Sequence, residues 1–267
     1  MDLSTKNRLD FELVKRGLVK SRTKAQELIK SGYVLCNGEV VNKSGKQILA
    51  TDKIIITNND YLKYVSRGGL KLEKALTEFG VDLHNKIVMD IGSSTGGFTD
   101  CAIQHGARKV IAIDVGTEVM DKGLRSNIKV ELYENTNIKD LELSFFADVD
   151  YITIDVSFIS IIKVFERIAK SNIEIEIIGL IKPQFECGKE IASKYKGVIL
   201  DKKIHKKVIS KTISKINKLG FFLRDVISSP IKGGDGNIEY LTYFTNRTNQ
   251  NQNTDLAEII NNVFKSL

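Results

Sequence analysis

The strongest constraint on the fold is a regular alternation, from residue 86 onward, of short apolar runs with segments of helical periodicity. Five runs have the length and composition of buried strands, at residues 87–91, 110–114, 128–132, 151–155 and 175–181. A lysine-rich helix at 202–218 precedes two more strands, at 221–228 and 239–244, joined by a glycine-rich turn. Alternating strands and helices specify a parallel sheet covered on both faces, and the final hairpin makes the last strand antiparallel. We therefore predict an α/β fold with a seven-stranded sheet.

Charge is unevenly distributed along the 267 residues. The formal net charge is +7, and residues 1–66 hold 12 Lys and Arg against 7 Asp and Glu, which accounts for +5. This asymmetry indicates a polyanion-binding module joined to a nearly neutral domain. No stretch reaches the roughly 18 uncharged apolar residues of a membrane span, and the first residues lack the layout of a secretory signal. We expect a cytoplasmic monomer with reduced cysteines and no metal site.

The basic first module, residues 1–62, is predicted to contain two helices and a small sheet. Apolar residues recur at helical spacing from Leu9 to Leu18 and again after Ser21, which can cap the second helix. Asn37-Gly38 between two β-favouring runs predicts a hairpin. The candidate RNA-binding residues are Arg8, Lys15, Arg16, Lys20, Arg22, Lys24 and, at the domain junction, Arg67. For any one of these cations, a solvated helix face is the ordinary alternative.

A linker is predicted at residues 63–69, where two adjacent glycines follow the module. A helix at 70–79 then opens the second domain, residues 70–267, and carries Lys71 beside the junction.

The glycine-rich segment from Asp90 to Phe98 lies where the first strand of the large sheet meets its helix. Glycines there let the backbone approach a ligand at the carboxyl end of the strand. Neither a Walker lysine nor GxGxxG is present, so a methionine-bearing adenosine suits the turn better than a nucleoside triphosphate or a dinucleotide. Asp114 ends the next strand, where a carboxylate can accept hydrogen bonds from ribose hydroxyls. Capping a helix near Gly116 is the alternative role for Asp114.

Charged residues gather, by topology, at one edge of the predicted sheet. Asp155 ends the fourth strand, Lys182 follows the fifth, and Glu239 opens the antiparallel strand. Because that strand runs backwards, it begins where the parallel strands end. Surface salt bridging is the ordinary explanation for any one of these residues, but their common edge favours a catalytic crevice.

Several motifs are similar to those of known RNA-modifying proteins. Arg8-Leu9-Asp10, Ser21-Arg22, Ala25, Gly32 and Asn37-Gly38 resemble the S4-type (αL) RNA-binding domain. The whole chain resembles the TlyA family, hemolysin A-type ribosomal RNA methyltransferases with an FtsJ-like catalytic half. This resemblance implies a Rossmann-like class I methyltransferase fold, S-adenosylmethionine as cofactor, and 2'-O-methylation of a cytidine ribose in 16S or 23S rRNA, with rRNA or ribosomal subunits as partners.

The resemblance also implies particular site residues. A catalytic Lys-Asp-Lys-Glu set falls on Lys71, Asp155, Lys182 and Glu239. The cofactor-binding candidates are Asp90, Gly92, Ser93, Gly96, Gly97, Phe98, Asp114 and Asn137. Lys182 would act as the base or orient the hydroxyl, while Lys71 would lower the pKa of Lys182 or hold an RNA phosphate. The two carboxylates would orient the lysines, although they oppose the lowering of the pKa.

Three other functions stay open at this point. The hemolysin name suggests a membrane-active toxin, a silent active site would leave a ribosome-binding factor, and pseudouridine synthases also carry such RNA-binding modules. The lysines of residues 202–218 are expected to be the solvated face of an amphipathic helix. A further helix is predicted at 255–266.

Overall fold

The computed structural model describes residues 6–58, 60–233, 235–247 and 261. The chain divides into two compact units, Met1–Ser66 and Arg67–Leu267. Apart from Asn261, the helix predicted at 255–266 lies outside the described residues.

The smaller unit combines two helices with short strands. Its described elements are β1 (Lys6–Arg8), α1 (Leu9–Lys15), α2 (Arg22–Lys30), β2 (Val34–Cys36), β3 (Glu39–Val40), β4 (Gln47–Leu49) and β5 (Ile54–Ile56). The apolar stripes of α1 and α2 supply fully buried leucines, such as Leu9, Leu13 and Leu28. The Ser21 hydroxyl accepts a hydrogen bond from Lys24 N and so caps α2 as predicted.

The β2–β3 hairpin confirms the turn predicted at Asn37-Gly38. Both residues have positive φ, 52° and 88°, which a type I' turn requires. The pairing of β1 with β4 escaped prediction. Both strands have three residues, too few for an alternating pattern, and about 40 residues separate them, so only tertiary packing brings them together.

The larger unit begins with α3 (Gly68–Phe79) and alternates strands with helices. The strands are β6 (Ile87–Ile91), β7 (Lys109–Ile113), β8 (Val130–Tyr133), β9 (Tyr151–Ile154), β10 (Glu176–Ile181), β11 (Phe222–Ser228) and β12 (Tyr240–Thr245). The remaining helices are α4 (Gly97–Gln104), α5 (Lys122–Arg125), α6 (Ile161–Ala169), α7 (Pro183–Glu186), α8 (Lys189–Lys194) and α9 (Lys202–Asn217).

The large sheet has the order β11-β12-β10-β9-β6-β7-β8. Strands β6 to β10 pair in parallel, and β12 runs antiparallel to both β10 and β11. This confirms the predicted seven-stranded sheet with an antiparallel last strand. Every residue of β10 is buried, as expected for a strand covered on both faces.

One strand starts two residues after its predicted start. The prediction placed it at 128–132, but β8 starts at Val130, and Ile128 is fully exposed. Val130 N donates to Asn127 O in a turn that occupies the predicted start of the strand. Because β8 is at the edge of the sheet and only partly buried, its apolar pattern specifies its position weakly.

Within the described residues, no helix combines the length and apolar composition that crossing a membrane requires.

Candidate active site

The glycine-rich turn connects β6 to α4 and is held against the neighbouring strand. Gly92 N and Ser93 N both donate to Ile113 O, at 2.8 and 3.2 Å. Gly92 has φ 83°, and a Cβ at this position would lie 2.7 Å from the backbone oxygen of Asp155. A side chain would therefore collide with the segment after β9, which explains glycine at this point.

A cavity of about 390 Å³ lies beside this turn, at the carboxyl ends of β6, β7 and β9. Gly92, Asp114 and Asn137 line it, as does Asp155. Asp114 Oδ2 accepts a hydrogen bond from Ser94 N and Oδ1 accepts one from Gly116 N, at 2.8 and 2.7 Å. The carboxylate is thus fixed at the cavity wall, and its oxygens retain lone pairs for further donors.

The other cofactor-binding candidates lie in the turn itself. Gly96 and Gly97 mark the N-cap and first residue of α4, while Ser93 and Phe98 are buried, each 4% exposed. None of these four residues lines the cavity, which Ser94 borders instead.

Asp90, the remaining candidate, is fully buried in β6. The hydroxyls of Thr99 and Thr153 donate to its two carboxyl oxygens, at 2.7 and 3.0 Å. Burial outweighs these hydrogen bonds and raises the pKa of Asp90 to about 6. Its contacts join β6, α4 and β9 below the glycine turn, so its direct effect is to hold the turn.

Lys71, Asp155, Lys182 and Glu239 meet at the edge of the sheet beyond this cavity. Lys71 Nζ lies 3.5 Å from Asp155 Oδ2, and Lys182 Nζ lies 2.5 Å from Asp155 Oδ1. The two amines therefore bind opposite oxygens of one carboxylate. Glu239 Oε2 is 2.6 Å from Lys71 Nζ and completes the cluster of four residues, which we call the tetrad.

The cluster fixes the charge states of Lys71 and Asp155. Burial acts to lower the pKa of Lys71, but the charges and hydrogen bonds of Asp155 and Glu239 outweigh it, and the net pKa is raised. Burial likewise acts to raise the pKa of Asp155, but Lys71 and Lys182 outweigh it, and that pKa is lowered. At neutral pH, Lys71 is a cation and Asp155 a carboxylate.

Lys182 has a second partner that sequence reasoning missed. Its Nζ donates to Ser157 Oγ at 3.0 Å. A second cavity, of about 490 Å³, is lined by Lys71, Lys182, Glu239 and Arg67. Ser157 and Phe158 border both cavities. The segment after β9 is therefore where the two cavities meet.

An aromatic side chain projects at this meeting point. Phe158 is 92% exposed and has φ 64°, an unfavourable conformation for a bulky residue. Its ring centroid is 5.1 Å from that of Phe185, which lines the second cavity. The local backbone thus holds an apolar ring in solvent at the edge of a charged site.

Glu186 and Asn237 position the loops of the site and were also missed. Glu186 Oε2 accepts from Ser160 Oγ at 2.6 Å and Oε1 from Ile161 N at 2.7 Å, so the chain after Lys182 holds the segment after β9. Asn237, 3% exposed, accepts from Ile199 N and donates to Gly197 O. Both lie close in sequence to tetrad residues, but their roles depend on contacts with residues far away in the sequence.

The smaller unit uses several candidate RNA-binding residues internally. Arg8 and Arg22 both donate to the buried carboxylate of Asp10. Arg16 donates to Glu12 and to the carbonyl oxygens of Leu49, Ala50 and Asp52.

The candidate lysines of this unit differ in exposure. Lys24 is 5% exposed and donates to Tyr64 O at 3.0 Å. Lys15 is exposed and lies 3.4 Å from Glu12 Oε1, and Lys20 is exposed. In the chain segments described, no group of three or more His, Cys, Asp or Glu could hold a metal ion.

A parallel sheet that ends on an antiparallel strand, with a glycine turn after its first strand, defines the class I methyltransferase fold. Comparison with known families agrees with this class. The FtsJ-like methyltransferase model matches residues 64–246, more than half of the chain, and the S4 domain model matches residues 7–54.

Named relatives match over most of their length. Hemolysin A of Brachyspira hyodysenteriae is 45% identical over 240 residues, covering 89% of this chain and 99% of that protein. The 23S rRNA (cytidine-2'-O)-methyltransferase TlyA of Campylobacter jejuni is 39% identical, covering 89% and 98%. The 16S/23S rRNA (cytidine-2'-O)-methyltransferase TlyA of Mycobacterium tuberculosis is 32% identical, covering 93% of each chain.

A solved structure matches nearly the whole length of the chain. A protein of Streptococcus thermophilus that carries the hemolysin name superposes with a TM-score of 0.75 at 35% identity, covering 97% of this chain and 96% of that one. The chain described here belongs to the TlyA (hemolysin A) family of FtsJ-like methyltransferases with an S4 domain.

Proposed function

We propose that this protein transfers a methyl group from S-adenosylmethionine to the ribose 2'-hydroxyl of a cytidine in 16S or 23S rRNA, with Lys71, Asp155, Lys182 and Glu239 as its catalytic set. The observation that carries the proposal is the placement of two lysine amines on opposite oxygens of Asp155, beside the glycine-turn cavity. The names of the Campylobacter and Mycobacterium relatives support the nucleoside and the RNA.

The first cavity fits the cofactor. Gly92 lines the cavity and lets the glycine turn pack closely against the segment after β9. The fixed Asp114 carboxylate can accept hydrogen bonds from ribose hydroxyls. Asn137 adds an amide to the same wall, and Ser93, Gly96, Gly97 and Phe98 shape the turn. Bound S-adenosylmethionine would supply an electrophilic methyl group on a positively charged sulfur.

Lys182 is the residue that orients the hydroxyl or accepts its proton. Its amine is paired with Asp155 and donates to Ser157 Oγ, and the residue lines the second cavity, where the substrate would enter. With S-adenosylmethionine bound, the hydroxyl oxygen would take up the methyl group as the carbon–sulfur bond breaks, and the hydroxyl proton would pass to Lys182 or to water. Holding that oxygen in line supplies much of the rate.

Lys71 has a different role in the reaction. Its raised pKa keeps it charged, so it does not serve as the base. Bound to Asp155 and Glu239, it balances two carboxylates that would otherwise repel each other at one edge of the sheet. It also presents positive charge to the second cavity, where an RNA phosphate can bind.

The target ribose would enter the second cavity. The exposed Phe158 ring, beside Phe185, offers a surface on which an unstacked base can lie. Arg67 lines the same cavity, and Lys15 and Lys20 offer exposed charge on the S4 unit. Residues 1–62 would then recognise RNA and residues 70–267 catalyse. Residues 63–69 would connect them, although the last two of these already belong to α3. The protein would act as a cytoplasmic monomer.

The test is methyl transfer from labelled S-adenosylmethionine to rRNA purified from cells that lack the enzyme, followed by mapping of the modified nucleotide. We expect 2'-O-methylcytidine, and no transfer by Lys182→Ala, which should still bind RNA. Lys170→Ala, an exposed lysine away from both cavities, is the matched control.

Two results would contradict the proposal. Binding of rRNA without transfer would instead identify a ribosome-binding factor. Equal activity of Lys182→Ala and the unaltered protein would remove Lys182 from the mechanism.

A further inference from the structure

The strongest charge concentration of the chain lies outside the S4 unit. Residues 189–218 contain ten lysines and two carboxylates, Glu190 and Asp201, for a formal net charge of +8. The whole chain has a net charge of +7, so the other 237 residues together are slightly negative. A general excess of lysine therefore does not explain this segment.

Most of these lysines are on one helix, α9. At about 100° per residue, five of them fall within an arc of about 120° on the helix surface. We call this set the lysine ridge, and its members are Lys203, Lys207, Lys211, Lys215 and Lys218, just past the end of the helix. All five are exposed, and four of the members follow one another at intervals of four residues, about 6 Å along the axis.

The ridge forms no ion pair within the described segments, although Lys215 is near enough to Glu186 for its charge to act on the pKa of that carboxyl. None of its five lysines is within ion-pair distance of a carboxylate there. The five ammonium groups therefore repel one another along about 22 Å of the chain, with partial compensation from Glu186 at Lys215. The buried side of α9, with Val208, Ile209 and Ile213, packs into the protein core, so the ridge faces solvent.

Two contacts join the start of α9 to the active site. His205, 1% exposed, is 2.8 Å from the hydroxyl of Tyr240, the residue after Glu239. Asn237, which lines the second cavity, binds Ile199 N three residues before the helix begins. The amino-terminal end of α9 is thus fixed beside the proposed substrate cavity, and the ridge leads away from it.

We propose that the lysine ridge binds the phosphate backbone of the rRNA substrate on one side of the target nucleotide. This inference rests on the proposed function, because it takes RNA as the molecule that enters the second cavity. Regularly spaced ammonium groups match a polyanion with regularly spaced charges. The ridge would give affinity and orientation without base specificity.

RNA fits this surface better than a membrane does. A helix that binds at a membrane interface inserts an apolar face, whereas the apolar face of α9 is buried in the protein. The ridge also begins beside the second cavity, which the target ribose would enter, so the same RNA molecule can contact both.

The experiment compares two variants with equal loss of charge. Lys207→Gln/Lys211→Gln removes two ridge cations, and Lys129→Gln/Lys170→Gln removes two exposed lysines of the same unit away from the ridge. Glutamine preserves helix propensity, so both variants should fold, which circular dichroism checks. Binding to naked rRNA from cells lacking the enzyme is measured across a KCl series.

We expect the ridge variant to bind about tenfold more weakly and its salt dependence, log K against log[KCl], to flatten by roughly 1.4–1.8. The control variant should keep the slope of the unaltered protein. Since neither ridge lysine belongs to the tetrad, kcat at saturating RNA should change less than about twofold.

The outcomes separate the two proposals. A ridge variant with the unaltered slope and affinity overturns the inference even if methyl transfer proceeds. So does a variant that loses affinity for phosphatidylglycerol vesicles while keeping its RNA affinity. In a further outcome, the ridge variant shows the flattened slope while the unaltered protein transfers no methyl group. That result would support RNA binding by the ridge and refute the proposed function.

Discussion

Lys71 Nζ lies 2.6 Å from Glu239 Oε2, and both side chains are buried, at 9% and 4% exposure. The second carboxyl oxygen of Glu239 faces Gly233, where an added Cβ would lie 2.6 Å from it. The glycine therefore leaves the space that the carboxylate needs to reach the lysine.

Gly233→Ala tests this contact without changing charge. The new methyl group should push the Glu239 carboxylate away from Lys71 and lower kcat by about tenfold or more. The free energy of unfolding should fall by about 1–2 kcal/mol, because only the end of a flexible side chain moves. Glu239→Ala, which leaves a buried charge with one fewer partner, should cost more, about 3–5 kcal/mol. Unchanged kcat in both variants would exclude Glu239 from the tetrad.

Ser157→Ala should affect the reaction more than binding. Its hydroxyl accepts a hydrogen bond from Lys182, and loss of a bond to a charged group costs about 1.5–3 kcal/mol. We expect kcat to fall by at least about tenfold, with little change in KM for S-adenosylmethionine. Ser157→Thr keeps the hydroxyl and should restore most of the rate. Steady-state kinetics with rRNA checks both, and equal rates for Ala and Thr would show that the hydroxyl does not position Lys182.

Asp90→Asn should change how stability depends on pH. Burial raises the pKa of Asp90 from 3.8 to about 6 in the folded protein. Between these values the folded state binds more protons than the unfolded state, so the contribution of Asp90 to stability falls as pH rises. The unfolding free energy of the unaltered protein, relative to Asp90→Asn, should drop by roughly 2 kcal/mol from about pH 4 to pH 7. Urea unfolding over this range measures it, and parallel pH curves would contradict the raised pKa.

Arg16 and Lys20 should separate stability from RNA binding in the S4 unit. Arg16→Gln removes donors to three carbonyl oxygens and to Glu12, and should lower the unfolding free energy of the unit by about 2 kcal/mol. Lys20→Gln, at an exposed position, should leave stability unchanged and weaken rRNA binding. Thermal unfolding and filter binding check the pair. Normal stability in Arg16→Gln would show that its internal hydrogen bonds contribute little.

Local patterns in the sequence were sufficient to predict much of the fold. Strand β6 has the predicted bounds, and the Asn37-Gly38 turn has the predicted backbone conformation. Both depend on neighbours in sequence, because apolar periodicity and positive φ are local properties. Topology then placed Asp155, Lys182 and Glu239 at one edge, since parallel strands end on the same side of a sheet.

Local sequence patterns could not predict which distant residues contact one another. The sequence gives no reason to separate Arg16 from the other arginines of the first module. In the structure, however, Arg16 donates hydrogen bonds to backbone carbonyl oxygens of residues 49–52. Nothing in the sequence marks Ser157 as a partner of Lys182, because the two residues are 25 positions apart and only the fold brings them into contact. These contacts depend on distances that the packed core sets between segments, and a local stretch of sequence does not contain that information.

The sequence by itself determined the alternation of elements, the glycine turn and the set of charged residues at the end of the strands. Tertiary structure alone decided that Lys71, 84 residues before Asp155, shares the Asp155 carboxylate with Lys182, and that the lysines of α9 lead away from this site. The physical reason is the range of the forces involved. Periodicity and turn conformation are set within a few residues, whereas ion pairing and burial depend on which segments the folded chain brings together.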